Sequence, residues 1–350
     1  MPYKILTVVG ARPQFIKAAA ISRAVKLRAE MTEVLVHTGQ HFDVAMSGVF
    51  FDELNMPKPA HNLKIHGGGH GEMTGRMLEG IERIITAEHP DIVLVYGDTN
   101  STLAGALAAV KLQIPIAHVE AGLRSFNRVM PEEINRVMVD HASTLLFCPT
   151  HSAVDNLKAE GVTDGVHKVG DVMYDATLFA IEKSEGVSTI LDQLTLLPST
   201  YALATVHRAE NTDTRDHLKG LLDWLKDKAK NMPVVFPLHP RTRIAAERFG
   251  LDFEGLILCE PVGYIEMAKL MSGAVEVYTD SGGLQKEAYF HRKPCVTLRD
   301  QTEWLETIEN GWNCLWKSPS YARRKDIAEY GDGDASNEIL DIIELFLKRR

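Results

Sequence analysis

Short apolar runs alternate with amphipathic stretches almost from end to end of this chain, and that alternation narrows the fold more than any single residue does. The runs predict strands over Lys4–Val9, Glu33–His37, Asp91–Val95, Ile116–Val119 and Leu145–Cys148. Between them the spacing predicts helices from GARPQFIK to about Leu27, from TGQH through Leu54, and over Met73–Ala87, Ser101–Leu112, Glu132–Ala142 and His151–Glu160. The pattern weakens between about Gly170 and Ser199. It then restarts, with strands expected at Tyr201–Val206, Val234–Pro237, Leu256–Leu258, Val275–Thr279 and Cys295–Leu298. Regular β-α alternation implies parallel, doubly wound sheets. A chain of 350 residues exceeds one comfortable core, so two such domains are expected, residues 1–170 and 171–335. The last helix, within residues 336–350, carries an apolar stripe of Ile339, Ile342, Ile343, Leu345 and Phe346. That stripe needs a surface to cover it, and the first domain is the expected one.

Charge and composition exclude several classes. A net charge of -9 argues against a general nucleic-acid binder, which needs a basic face. No apolar run is long enough to span a bilayer, so no membrane partner is expected. The N-terminus MPYKILTVVGARP enters a strand directly, without a secretory pattern. Cys148, Cys259, Cys295 and Cys314 lack the paired short spacings of a metal site or a disulfide framework, and three lie in or near strand-like runs, where buried free thiols are ordinary. A reduced, cytoplasmic setting is the expectation.

Chemistry concentrates in one span. GDTNSTLAGALAA begins at Gly97, HVEAGLRS at His118 and MPEEINR at Met130. Together they place Asp98, Glu120, Glu132, Arg124 and Arg136 after strand-like runs, and in open α/β sheets the carboxyl ends of strands build the ligand crevice. Three carboxylates beside two guanidiniums read as a proton-transfer site next to an anion clamp. GARPQFIK sets Gly10, Arg12 and Lys17 at a strand-to-helix turn suited to an anion, though a solvated basic turn fits equally well. TDSGGLQKEA turns from a strand into a helix through Ser281, Gly282 and Gly283. Backbone N–H groups there suit a diphosphate and Glu287 could hold ribose hydroxyls; N-capping by Asp280 or Ser281 is the plainer alternative. His207 in HRAEN follows a strand and could meet a phosphate or a leaving-group oxygen, or serve structure. In DQTEWLE, Trp304 suits a core cover or a stacking surface. His66 and His70 share an i, i+4 spacing, but the glycines between them break the helix that would align them, so no metal is expected.

These segments, in this order, resemble the non-hydrolysing UDP-N-acetylglucosamine 2-epimerase family. GARPQFIK, TGQH, VLVYGDTNSTLAGALAA, HVEAGLRS, PEEINR, VHRAEN, EPVGY and TDSGGLQKEA carry the likeness from Lys4 to about Asn313. The resemblance implies an α/β fold of two Rossmann-like doubly wound domains facing across a cleft, the glycosyltransferase-B arrangement, and a homodimer. It implies catalytic roles for Asp98, Glu120, Glu132, Arg136 and His207. It implies substrate-binding roles for Arg12, Lys17, Gln40, His41, Ser281, Gly282, Gly283 and Glu287, with no cofactor. The common family pattern GTRPEAIK is GARPQFIK here, TTERPE is QTEWLE, and HRRENxG is HRAENTD. This set looks like the branch acting on UDP-2,3-diacetamido-2,3-dideoxy-glucuronate. Gln14, Phe15, the Gly67–His70 loop and Trp304 are then expected near the extra sugar groups, with Arg124 or Arg128 for the C6 carboxylate. The expected reaction inverts C2 of a UDP-sugar by eliminating and re-adding UDP. UDP-N-acetylglucosamine is the alternative substrate. A retaining glycosyltransferase of the same architecture, or an inactive nucleotide-sugar sensor, would be the alternatives to an epimerase.

Overall fold

The computed structural model describes residues 2–40, 51, 53–318 and 320–350. It divides into two units: residues 1–176 together with 328–350, and residues 177–327. The sequence predicts a boundary at 170/171, inside the weak stretch, where the chain forms the helix Val172–Val187.

The first unit is built on a seven-stranded parallel sheet. In chain order its elements are β1 (Tyr3–Val9), α1 (Arg12–Val25), β2 (Met31–His37), β3 (His61–Asn62), α2 (His70–Glu88), β4 (Ile92–Tyr96), α3 (Asn100–Lys111), β5 (Ile116–Val119), α4 (Pro131–Ala142), β6 (Leu145–Cys148), α5 (His151–Ala159), β7 (Val166–Lys168) and α6 (Val172–Val187). The strand order is β3-β2-β1-β4-β5-β6-β7. Winding therefore reverses between β1 and β4, and the crevice beyond their carboxyl ends is where such sheets bind ligands. All five residues of β4, IVLVY, are buried, as a strand covered on both faces requires. Val93 and Val95 meet Met77, Ile81 and Ile85 of α2 and Ala104 and Ala108 of α3 in one core cluster.

The second unit has a six-stranded parallel sheet, in the order β10-β9-β8-β11-β12-β13. Its elements are α7 (Ile190–Gln193), β8 (Ala202–Thr205), α8 (Ala209–Thr212), α9 (Arg215–Ala229), β9 (Val234–Pro237), α10 (Pro240–Phe249), β10 (Ile257–Cys259), α11 (Tyr264–Gly273), β11 (Val277–Thr279), α12 (Gly282–Phe290), β12 (Cys295–Thr297), α13 (Leu305–Glu309) and β13 (Asn313–Leu315). Its winding reverses between β8 and β11. Strand alternation splits its apolar residues between two faces: Ala202 and Ala204 join Leu221 and Phe236, while Tyr201 and Leu203 join Leu270 and Met271.

A 3₁₀ turn (Ala328–Tyr330) returns the chain to the first unit, and α14 (Ala335–Lys348) belongs to it. The helix buries Ile339, Leu340, Ile343 and Leu347. Leu345 of the expected stripe instead points outward, 51% exposed, and Leu340 and Leu347 take the inward face. Arg28 beside α1 anchors the helix, with Nη1 2.6 Å from Asp341 and Nη2 donating to the Asn337 carbonyl at 3.1 Å. Strands β3, β7 and β13 escaped the sequence reading. They have two or three residues each, and β13 opens on a buried asparagine, so no apolar run marks them.

Candidate active site

The carboxyl ends of β4 and β5 create the first cluster. Register pairs Tyr96 with Val119, so the residues that follow, Gly97-Asp98 and Glu120, emerge side by side. Glu120 sits at φ 70, a left-handed backbone that long side chains seldom adopt. It is held there by the Phe147 carbonyl, which accepts the N–H groups of both Glu120 and Ala121 at 3.1 Å. Each carboxylate has its own cation: Asp98 pairs with Arg136 of α4, and Glu120 with Lys17 of α1. Asn135 Nδ2 donates to the Asp98 carbonyl at 2.9 Å. Burial lifts the Asp98 carboxyl above its ordinary range; Arg136 opposes this, and the charge of Glu120 adds to the rise.

The loop after β1 is held by internal packing. Gln14 is buried; its Oε1 accepts the N–H groups of Gly10 at 2.8 Å and Ala11 at 3.0 Å, and its Nε2 donates to the Tyr96 carbonyl at 2.9 Å. A Cβ on Gly10 would lie 2.1 Å from both Thr38 Oγ1 and Ser101 Oγ, so glycine is required there by neighbouring hydroxyls. Phe15 stacks on His37 at 5.0 Å between ring centres. Gln14 and Phe15 thus face the core of the unit, and the expectation that they meet the sugar is corrected: they shape the loop from below. Gln40 is half-buried, its Oε1 accepting from Ser101 N at 3.0 Å and Ser101 Oγ at 2.7 Å. His41 lies outside the described residues. Arg12 is exposed on the first turn of α1.

The two glutamates of MPEEINR separate. Glu132 is exposed on the first turn of α4. Glu133 is buried and accepts from Ser125 N and Ser125 Oγ at 2.8 Å and Phe126 N at 2.9 Å. Burial alone would raise the Glu133 carboxyl, but these donors and Arg136 hold it below the usual range. Sequence reading missed Glu133, since two adjacent helical glutamates look alike until the preceding loop is folded onto one of them. Arg124 is likewise consumed: its side chain is 1% exposed and pairs with Asp140 at 2.6 Å and Glu160 at 2.7 Å. It is therefore unavailable for a sugar carboxylate, while Arg128 is exposed. His70 begins α2, with Nδ1 3.2 Å from Asn100 Nδ2.

The second cluster lies beyond β8 and β11, where Thr205 pairs with Thr279 and their hydroxyls are 2.7 Å apart. Asp280 is fully buried, and one carboxylate oxygen accepts from His207 N at 2.9 Å, Arg208 N at 2.8 Å and Asn211 Nδ2 at 2.9 Å. Its other oxygen lies 3.3 Å from His207 Nδ1. Asp280 therefore orients His207, and the N-cap of α12 is Ser281, whose Oγ accepts from Leu284 N at 3.5 Å. Gly282 and Gly283 form the first turn of α12, and Glu287 is buried one turn further on. Trp304 is neither core nor free platform: its indole N–H donates to the Gly282 carbonyl at 2.9 Å, and Lys286 Nζ sits 4.1 Å from its ring centre.

Both clusters occupy switch points of doubly wound sheets, where such folds bind ligands. The sequence model of the UDP-N-acetylglucosamine 2-epimerase family matches residues 23–344. The chain belongs to that family. It is a UDP-sugar 2-epimerase of the non-hydrolysing kind, an isomerase, which decides against the glycosyltransferase and sensor alternatives. The epimerase is 51% identical, over 97% of its length and 99% of the relative's, to the UDP-2,3-diacetamido-2,3-dideoxy-D-glucuronate 2-epimerase of Pseudomonas aeruginosa. It is 50% identical, over the same shares, to a UDP-N-acetylglucosamine 2-epimerase homolog of Methanococcus maripaludis. Its fold matches the crystal structure of the Methanocaldococcus jannaschii UDP-GlcNAc 2-epimerase in complex with UDP-GlcNAc and UDP at a TM-score of 0.84, with 39% identity, covering 99% of this chain and 100% of that one. Among its described residues, no helix of the epimerase is long and apolar enough to cross a membrane.

Proposed function

We propose that this epimerase, working as a homodimer, inverts C2 of a UDP-sugar by elimination and re-addition of UDP, with UDP-2,3-diacetamido-2,3-dideoxy-glucuronate as its preferred substrate. The observation that carries the mechanism is the pairing of adjacent carboxylates with separate cations, Asp98 with Arg136 and Glu120 with Lys17. The C2 proton is not acidic while the sugar is intact. Breaking the C1–O bond releases UDP with its electron pair, and the C2–H electrons then close a C1–C2 double bond while a carboxylate takes the proton. UDP re-adds at C1 as a proton returns to the other face of C2. Two faces need more than one proton-handling group. Asp98, with its raised carboxyl, suits proton exchange near neutrality better than an ordinary surface aspartate would. Glu132, exposed at the N-terminus of α4, is the third candidate.

The leaving diphosphate needs positive charge and oriented N–H groups. The first turn of α12, with Ser281, Gly282 and Gly283, suits a diphosphate, and buried Glu287 suits the ribose hydroxyls. His207, oriented by Asp280, suits the departing oxygen. UDP in a solved relative supports a nucleotide at this fold. The 2,3-diacetamido preference rests on the Pseudomonas relative and on the departures of QTEWLE from the common family pattern. UDP-N-acetylglucosamine remains the second reading, favoured by the Methanococcus relative at nearly equal identity. NMR of the purified enzyme in deuterated water with each UDP-sugar tests both parts. The expected result is far faster turnover of the diacetamido-uronate, with deuterium at C2 of the product. Equal turnover of UDP-N-acetylglucosamine would reverse the substrate choice, and full retention of the C2 hydrogen would sink the elimination.

A further inference from the structure

Beneath the paired carboxylates runs a buried polar chain that the proposed mechanism does not use. His118 lies on β5 and is fully buried. Its Nδ1 is 2.7 Å from Asp140 Oδ1, and its Nε2 is 2.8 Å from the Gly97 carbonyl oxygen. A carboxylate and a carbonyl both accept, so the ring donates from both nitrogens. Asp140, on α4, spends its second oxygen on Gly122 N at 3.1 Å and on Arg124 Nη1 at 2.6 Å. Arg124 then runs outward to Glu160 through two bonds of 2.7 and 2.8 Å.

The endpoints of this chain give it a purpose. Gly97 immediately precedes Asp98, and Gly122 closes the turn that holds Glu120 at its positive φ. Asp140 thus reaches the Asp98 loop through His118 and reaches the Glu120 turn directly. A core position served only by packing would take an apolar residue, since buried charges are stable only when fully paired and hydrogen-bonded. Here four charged or chargeable groups are spent to tie down two adjacent backbone turns.

We propose that the Arg124–Asp140–His118 chain is the positioning device of the reaction, holding the loops of Asp98 and Glu120 in one fixed relation. His118 and Asp140 touch no substrate; they act through the backbone at Gly97 and Gly122. This inference rests on the reading of Asp98 and Glu120 as the proton-handling groups. A misplacement of a reacting group by about 1 Å can lower the rate by roughly 100-fold.

Two measurements test it. In the native enzyme labelled with ¹⁵N-histidine, His118, assigned by its loss in His118→Gln, should show slowly exchanging protons on both ring nitrogens. A ring with one bare nitrogen overturns the proposal whatever the kinetics of the variants. Next, His118→Asn keeps an amide near Nδ1 and its bond to Asp140, whereas His118→Gln reaches the Nε2 position and can still donate to Gly97. The expected result is a kcat about 100-fold lower for His118→Asn, substantial recovery in His118→Gln, and KM and UDP affinity unchanged in both. Native kcat in His118→Asn overturns the proposal, and so does a parallel loss of UDP affinity and kcat. Asp98→Asn and Glu120→Gln, assayed alongside, separate the levels: native turnover in both removes the carboxylate reading and the proposal with it, whereas loss there with native kcat in His118→Asn removes the positioning role alone.

Discussion

Gly97 leaves open the space into which the Glu120 carboxylate reaches: a Cβ on that glycine would lie 3.2 Å from Glu120 Oε2. The same residue has φ 59 and precedes Asp98, so its missing side chain serves both carboxylates. Gly97→Ala should lower turnover by displacing Glu120, and should also lower stability by about 1–2 kcal/mol, the usual penalty for a left-handed alanine. Denaturant unfolding and kcat measured on one preparation check both. Native kcat with only the stability loss would show that the close approach has no functional weight.

Charge removal at the carboxylates should act on rate. Asp98→Asn and Glu120→Gln should each lower kcat by roughly 100-fold or more, the scale of a general acid or base, and leave UDP affinity near native. Turnover within a few-fold of native in both variants would reassign the proton transfers.

Asp98 also predicts a pH signature. Its folded carboxyl lies above the unfolded value because burial disfavours the charged form. A group of this sign contributes stability at pH values below the unfolded value, and loses that contribution as pH rises through the folded one. Asp98→Asn should therefore melt higher than the native enzyme near pH 7, with the gap narrowing toward pH ~4, where an ordinary aspartate protonates. Arg136 stays partnered in the variant, since Glu133 lies 3.4 Å from its Nη1. A lower melting temperature near pH 7 would mean that the ion pair outweighs the burial.

Asp140 should behave in the opposite sense. Burial would raise its carboxyl, but His118 and Arg124 hold it below the usual range. Such a group stabilises the fold above the unfolded carboxylate value and loses that stability as pH falls through the folded one. Asp140→Asn should cost about 3–5 kcal/mol near neutrality, typical of breaking a buried pair, with the difference from native shrinking in acid. Unfolding curves at pH 7 and at pH ~2, well below the ordinary aspartate value, that differ by the same amount would contradict the depressed carboxyl.

Nucleotide affinity should depend on Glu287 independently of rate. Glu287→Gln should weaken UDP binding by roughly tenfold, about 1.4 kcal/mol, close to the lower bound of about 1.5 kcal/mol for a hydrogen bond to a charged group. Calorimetric titration with UDP reads this directly, and native affinity would remove Glu287 from the ribose role.

The order and period of the apolar runs determined the fold class, because a strand buried on both faces must be apolar throughout and a covering helix must carry one apolar stripe. For that reason β4 and β5 were legible to within a residue, and so was the presence of Asp98 and Glu120 at their carboxyl ends. The three-residue strands β10, β11 and β12 sit in apolar runs and were legible, whereas β3, β7 and β13 are broken by His, Lys or Asn and leave no such run. Tertiary structure decided which charged residues are spent on the scaffold. Arg124 looked like an anion ligand and is locked between Asp140 and Glu160, Gln14 looked like a specificity position and ties the Gly10 turn to Tyr96, and buried Glu133 holds the loop before α4 while its neighbour Glu132 stays exposed. Hydrogen-bond partners far apart in sequence set those roles, Gln14 with Tyr96 and His118 with Asp140 among them, and such pairings exist only once the strands are aligned in register.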